Sequence, residues 1–329
     1  ISTDHYKTNV FTSPFHSRTE PLNKLKRWNR WGDYLSAAAY YDADLEYFAC
    51  RNTCGVFDLS SMVKHRISGP DALAFTPPRA DDIAFIQFTS GSTARPKGVG
   101  LTHSNLIANS HCIMNLGLHA NEHDVACSWL PLFHDMGLIG FVLSPLLAGA
   151  SAVFLPPLRF LKRPVEWLQM ITRHHGTITF APNFAYGLCT KRIAEHKFEG
   201  LDLSSLRVAG CGAEPIELAT LEDFARKFAA VNFQKKALLP CYGIAESTLA
   251  VTFIGLEESL KADCVSLEKL TQEGAAVPVE CGSPGAVKVV CCGKPFTGHE
   301  IRITDEHGQA CGERQVGEIA LRGPSVMQG

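Results

Sequence analysis

The chain has 329 residues, of which 46% are hydrophobic and 19% charged, a globular composition and not a disordered one. Lys and Arg total 31 against 33 Asp and Glu, so the formal net charge is -2 and the basic excess of a nucleic-acid binder is absent. No apolar run approaches the length of a membrane span. The polar start Ile1-Ser2-Thr3-Asp4-His5 carries no readable signal peptide, and its lack of Met predicts a natural gene start elsewhere. The 12 cysteines lie mostly in apolar surroundings, without the paired CxxC elements of a zinc site. Reduced thiols in a cytoplasmic protein are expected, and the vicinal Cys291-Cys292 is too constrained for an ordinary structural disulfide.

Residues 1–75 are rich in charge and aromatic side chains, among them Trp28, Trp31, Tyr40, Tyr41 and Tyr47. A helix is predicted over 44–52 and a strand over 63–67, closed by Ser68-Gly69-Pro70. Residues 76–82 read as a seam. Beyond it, apolar strands alternate with helical periods. Strands are predicted at 83–88, 125–130, 152–155, 177–180 and 206–210, and helices at 105–116, 136–147, 165–174, 184–195 and 216–228. That alternation predicts α/β layers on a mostly parallel sheet. Short strands at 300–304 and 318–322, around the turn Asp305-Glu306-His307-Gly308, predict a small β region near the C-terminus.

The stretch Thr89-Ser90-Gly91-Ser92-Thr93-Ala94-Arg95-Pro96-Lys97-Gly98 follows a predicted strand. Its small and hydroxylated residues let backbone N–H and side-chain O–H groups surround phosphate oxygens, and Lys97 adds a cation. It is not a Walker loop, and a plain hydroxyl-rich loop is the alternative. Three further segments stand out. They are Trp129-Leu130-Pro131-Leu132-Phe133-His134-Asp135-Met136-Gly137-Leu138, Gly212-Ala213-Glu214-Pro215 and Tyr242-Gly243-Ile244-Ala245-Glu246-Ser247-Thr248. Taken alone, His134 reads better as a plain buried histidine, and Glu246 can be read as a helix N-terminal charge.

In this order the four segments resemble those of the adenylate-forming (AMP-binding) enzymes over about residues 76–329, and most nearly the fatty acyl-AMP ligases. The resemblance implies the core of that family's large domain. It implies ATP phosphates at Thr89, Ser90, Gly91, Ser92, Thr93 and Lys97, and adenine along Gly212, Ala213 and Glu214 and against Tyr242 and Gly243. It also implies Mg²⁺ on Glu246, a hard cation that takes carboxylate and phosphate oxygens. His134 would sit between the nucleotide and acyl sites, and His134, Glu246 and Lys97 are the implied catalytic set. Met136, Leu138, Ile139 and Phe184 are candidates for an acyl tunnel, each equally readable as ordinary core. Pro182-Asn183-Phe184-Ala185-Tyr186, and a long gap from Glu246 to Cys292-Gly293-Lys294-Pro295 holding residues 266–290, resemble the acyl-AMP ligase subgroup and its extra insertion.

The implied reaction joins a fatty acid to AMP for transfer to the phosphopantetheine of an acyl carrier protein. Acyl-CoA ligase is the enzymatic alternative, with CoA as acceptor. Residues 316–327 resemble the strand region before the family's ribose-binding Asp, which would lie beyond Gly329 with the mobile domain and its Lys. The chain as it stands is therefore expected to bind nucleotide weakly and not to turn over. Ser13-Pro14-Phe15-His16-Ser17-Arg18-Thr19, residues 47–60 and Gly69-Pro70-Asp71-Ala72 resemble the start of the aminomethyltransferase (glycine-cleavage T-protein) family. They imply an incomplete α+β folate-binding fragment at 1–75, joined to the 76–329 core by a gene fusion or an assembly artefact. A folate-dependent or non-catalytic binding fragment is the alternative from another class.

Overall fold

The computed structural model describes residues 78–89 and 97–328, with Thr89 and three strands in the first 77 residues described as backbone only. The chain divides into two compact units, Ile1–Pro77 and Pro78–Gly329. In the first, β1 (Phe11–Thr12), β2 (Arg27–Trp31) and β3 (Tyr34–Ala39) make a sheet of order β1-β3-β2. The pair β1 and β3 is parallel, and β2 and β3 antiparallel. The helix expected at 44–52, the strand expected at 63–67 and Ser90, Gly91, Ser92 and Thr93 lie outside the described residues.

The second unit opens with a hairpin, β4 (Ile83–Thr89) against β5 (Lys97–Thr102), with Thr89 opposite Lys97. Residues 97–102 are strand, where the sequence reading had only loop and flank. Val99 and Leu101 alternate inward and are buried, which the glycines at 98 and 100 had obscured. Helix α1 (His103–His111) starts on a capping box. The Thr102 hydroxyl accepts from Asn105 N–H, and the Asn105 side chain accepts from Thr102 N–H. It runs on into a π-helical turn, Cys112–Gly117.

Next come β6 (Val125–Ser128), α2 (Asp135–Leu138), a π-helical turn at Ile139–Leu143, α3 (Ser144–Ala148) and β7 (Ser151–Phe154). The single helix expected over 136–147 is thus three joined turns. Helices α4 (Pro157–Lys162) and α5 (Val165–His174) lead to β8 (Ile178–Ala181), α6 (Asn183–Arg192), β9 (Val208–Cys211), α7 (Leu218–Phe228) and β10 (Leu238–Gly243). In α7 the buried residues Leu221, Phe224, Ala225 and Phe228 recur every three or four positions, the stripe a helix lays on a sheet. Strands β8 and β9 are buried at every position, as strands covered on both faces must be.

After β10 the chain reverses into β11 (Ala250–Phe253), antiparallel to it. Strands β12 (Ala262–Ser266) and β13 (Ala286–Val290) form their own antiparallel pair, with α8 (Leu267–Gln272) between them. Strand β14 (Lys294–Pro295) rejoins β11, and β15 (Glu300–Thr304) pairs with β16 (Glu318–Arg322). The main sheet has seven strands in the order β14-β11-β10-β9-β8-β6-β7, parallel from β10 to β7. Gly210 in β9 is required by close approach, since a Cβ there would lie 2.0 Å from the Phe180 ring. Around it pack Trp167, Tyr186, Phe224 and Phe228, all fully buried.

One expectation is corrected here. Cys264 and Cys281 form a disulfide, with Cα atoms 5.4 Å apart, so the thiols are not all reduced. The 17-residue separation hid the pairing, because only the fold of 262–290 brings the two together. The other cysteines among the described residues are free, including Cys291 and Cys292. No helix among the described residues is long and apolar enough to cross a membrane.

Candidate functional site

In a parallel sheet all strand carboxyl ends fall on one edge, where loops can converge on a ligand. Here β6 leads to the loop ending at His134, β9 to Gly212-Ala213-Glu214, and β10 to Tyr242-Gly243 and the Glu246 turn. His134 caps α2 in an extended backbone conformation. Its Nδ1 lies 2.6 Å from Asp135 Oδ1 and 3.3 Å from Met136 N. When the imidazole is protonated on Nδ1 the shorter contact is a donation to the Asp135 carboxylate, and Met136 N–H, also within reach of Nδ1, donates to Asp135 Oδ1 at 2.7 Å. The hydrogen bond to Asp135 raises the His134 pKa above its ordinary value, against a smaller opposing effect of burial. Burial pushes Asp135 up, but hydrogen bonds from His134, Met136 N–H and Gln87 together outweigh it and hold the carboxyl below its ordinary range. Half of the His134 side chain is exposed, so it is not a core histidine.

Ala213 holds φ +67°, a left-handed conformation that L side chains rarely adopt. Next to it Glu214 Oε1 accepts from Phe184 N–H at 2.6 Å, placing an anion at the positive end of α6. Burial, and then the Glu246 carboxylate, raise the Tyr242 phenol pKa, which keeps the ring neutral. Glu246 lies in a 3₁₀ turn, Ala245–Ser247, directly after β10. Met327 N–H donates to Glu246 O at 2.8 Å, and the Thr248 hydroxyl donates to Ser325 O at 2.7 Å. Asn105 Nδ2 completes this strap by donating to Pro324 O and Val326 O.

One cavity of about 210 Å³ joins these loops to the interior. His134, Asp135, Ala213, Tyr242 and Gly243 line its polar part; Met114, Phe141, Phe180 and Phe253 are prominent in the apolar part. The structure therefore brings together His134, Ala213, Tyr242 and Gly243, with Gly212 and Glu214 flanking Ala213 and Glu246 beside Tyr242. Lys97 and Thr89 are paired at the loop end of the hairpin, outside the cavity lining. The hairpin is tied to the site by Val99 and Leu101, which cluster with Ile139 and Ala245, and by Gln87 on Asp135. Of the four proposed tunnel residues only Met136 lines the cavity. Ile139 is buried in the hairpin cluster, and Phe184 stands half exposed against Trp129. Asp135 could have been found from its adjacency to His134. Asn105 and Asp124, which also borders the cavity, gave no local signal.

The sequence profile of the AMP-binding enzyme family matches residues 16–329. The chain is similar to a putative acyl-CoA synthetase of Caulobacter vibrioides, 40% identical over 75% of this chain and 43% of the relative. It is similar to a medium-chain-fatty-acid–[acyl-carrier-protein] ligase of Teredinibacter turnerae, 38% identical over 75% of this chain and 38% of the relative. A fatty acyl-adenylate ligase of L. pneumophila, solved with acyl adenylate and pyrophosphate, superposes with a TM-score of 0.73 at 42% identity, covering 78% of this chain and 45% of that one. The chain thus spans less than half the length of these relatives. The match from residue 16 overlaps the segment read as aminomethyltransferase-like, and that resemblance gains no support; neither does the expected inactivity.

Proposed function

The chain belongs to the AMP-binding enzyme family, and from that premise we propose that it forms the adenylating core of a ligase that activates a fatty acid with ATP. The observation that carries this reading is a cavity with a polar mouth at the strand carboxyl ends and a mainly apolar interior behind it. A carboxylate at the mouth and its hydrocarbon tail inside satisfy both halves at once. The carboxylate oxygen attacks the α-phosphorus of ATP, the bond to the bridging oxygen breaks, and pyrophosphate leaves.

In this reading the Gly212–Glu214 loop and the Tyr242 ring border adenine, and the loop between β4 and β5 receives the phosphates. Lys97, at the root of that loop, offsets charge that grows on phosphate oxygens. His134, held by Asp135, would donate toward the reacting oxygens from Nε2 when its imidazole carries protons on both nitrogens. Among the described residues no three ligating side chains cluster for a metal ion. A lone carboxylate still fits Mg²⁺, which binds through one or two carboxylates plus substrate phosphates. Glu246 would hold it, and the ion would supply charge neutralisation at the phosphates.

The acceptor in this reading is the phosphopantetheine thiol of an acyl carrier protein, supported by the Teredinibacter turnerae relative and by the structured segment at 262–290. The test is incubation of the protein with ATP, Mg²⁺ and dodecanoate, with acyl-AMP and pyrophosphate read by mass spectrometry. Acyl-AMP is expected, passing to a phosphopantetheinylated carrier and not to CoA. Absence of acyl-AMP with every fatty acid supplied overturns the reading.

A further inference from the structure

The far end of the cavity is not apolar. Asp124, Thr177 and Arg207 each precede a strand of the sheet, β6, β8 and β9, so they meet at its amino edge, opposite the His134 loop. Asp124 is buried and lines the cavity beside Leu118, Ala126, Ala150 and Ile178. Its carboxylate is saturated. Oδ1 accepts from Arg207 Nε at 2.8 Å and the Thr177 hydroxyl at 2.6 Å; Oδ2 accepts from Arg207 Nη2 at 2.7 Å and Asn121 N–H at 3.0 Å. Arg207 Nη1 donates to Leu118 O, and Val125 N–H donates to Thr177 Oγ1. Both charges are thereby held by the backbone of the sheet and of its approach loops.

We propose that the Asp124–Arg207 pair is the end wall of the acyl cavity and sets the longest chain the protein accepts, selecting medium-chain over long-chain fatty acids. The proposal rests on the reading that this cavity takes a fatty acid. Between mouth and wall runs the four-residue strand β6, ~13 Å long at the usual rise per residue. Each methylene that enters apolar space strengthens binding about fourfold. A chain long enough to reach the wall must displace the buried Asp124 carboxylate from its bidentate bond to the partly exposed Arg207 behind it, which weakens binding by about a hundredfold. No single added methylene recovers that, so affinity stops rising at the wall.

The experiment is displacement of a fluorescent fatty acid from the full chain by octanoate, decanoate, dodecanoate and hexadecanoate, below their micelle concentrations. Affinity is expected to climb up to the chain that reaches the wall, with hexadecanoate binding no better than dodecanoate. In Ala150→Leu, which fills the wall end, the break moves to a shorter acid. In Asp124→Ala/Arg207→Ala, which opens it, the hexadecanoate-to-octanoate affinity ratio rises tenfold or more. If the double variant does not fold by circular dichroism, Ala150→Leu carries the test alone. An unbroken rise through hexadecanoate in the wild type, or a break that folded variants leave in place, overturns the wall while leaving the fatty-acid reading intact. Displacement by no acid at all overturns both.

Discussion

His134 and Asp135 show how two adjacent residues set each other's charge. The backbone turn at the start of α2 brings imidazole and carboxylate to 2.6 Å, a distance that adjacency alone does not ensure. His134 in the folded chain is expected to titrate above its ordinary 6.5. The sign follows from linkage: a raised value means that this pair's contribution to stability is fully present below pH 6.5 and is lost as pH rises through the folded value. Replacement Asp135→Asn removes the partner and leaves burial, so the His134 pKa should fall to or below 6.5 in an NMR titration. A value that stays raised in that variant assigns the shift to another group. Ala213 is the other residue whose local conformation matters, because a non-glycine held at φ +67° costs about 1–3 kcal/mol. The tertiary setting of the loop between β9 and α7 holds it there.

Among the elements, α1 is held at its start by one side chain that does two jobs. Asn105 uses its oxygen to close the capping box and its amide to hold carbonyls 219 and 221 residues away. Asn105→Ala is expected to destabilise the chain by about 2–3 kcal/mol, since it leaves buried polar groups unpaired. Thr102→Ala, which loses the local hydroxyl bonds of the cap and leaves the Asn105 amide on Pro324 O and Val326 O, should cost about 1 kcal/mol. Equal losses in denaturant titrations would show that the strap at 323–327 contributes nothing. The 262–290 segment is an element of a different kind. It is closed by Cys264–Cys281 and bound to residues 312–316 by Arg314 on Asp263 and by Val316 N–H on Gly274 O. A disulfide closing a loop of this size contributes about 3 kcal/mol in the chain-entropy view. Cys281→Ser should therefore speed amide exchange in β12 and β13 and leave β8 and β9 unchanged; uniform exchange across all four strands would contradict local closure.

For the whole molecule, the buried carboxylates decide behaviour in acid. At Asp124 burial raises the pKa, but the hydrogen bonds of Arg207, Thr177 and Asn121 outweigh it, and the net value is lowered, as at Asp135. For a depressed value the stability is present above the ordinary 3.8 and is lost as pH falls through the folded value. The melting temperature should accordingly drop steeply in acid. Asp124→Asn should lower it at neutral pH by the equivalent of about 2–3 kcal/mol and flatten the acid limb, the cost staying below that of a fully buried pair because Arg207 keeps some contact with water. An acid limb identical to that of the wild type would remove Asp124 from the account.

The sequence by itself determined the α/β class, most of the alternation of strands and helices from residue 105 to 228, and the loops that form the site. Those features are local: apolar period, strand-closing glycines, and short motifs placed after strands. Residues 165–174 are helical as read, because one apolar stripe lies among good helix formers. The strand at 97–102 was missed because its two inward positions are too few to stand out between glycines. Only the tertiary structure decided which side chains face the cavity. Phe180 and Phe253 line it where Phe184 and Ile139 do not, because that choice depends on how layers stack across the sheet. It also decided the pairings of Asp124 with Arg207, 83 residues apart, and of Cys264 with Cys281. Such pairs have no period and no motif; they exist because sheet register and loop closure bring distant backbone positions within reach.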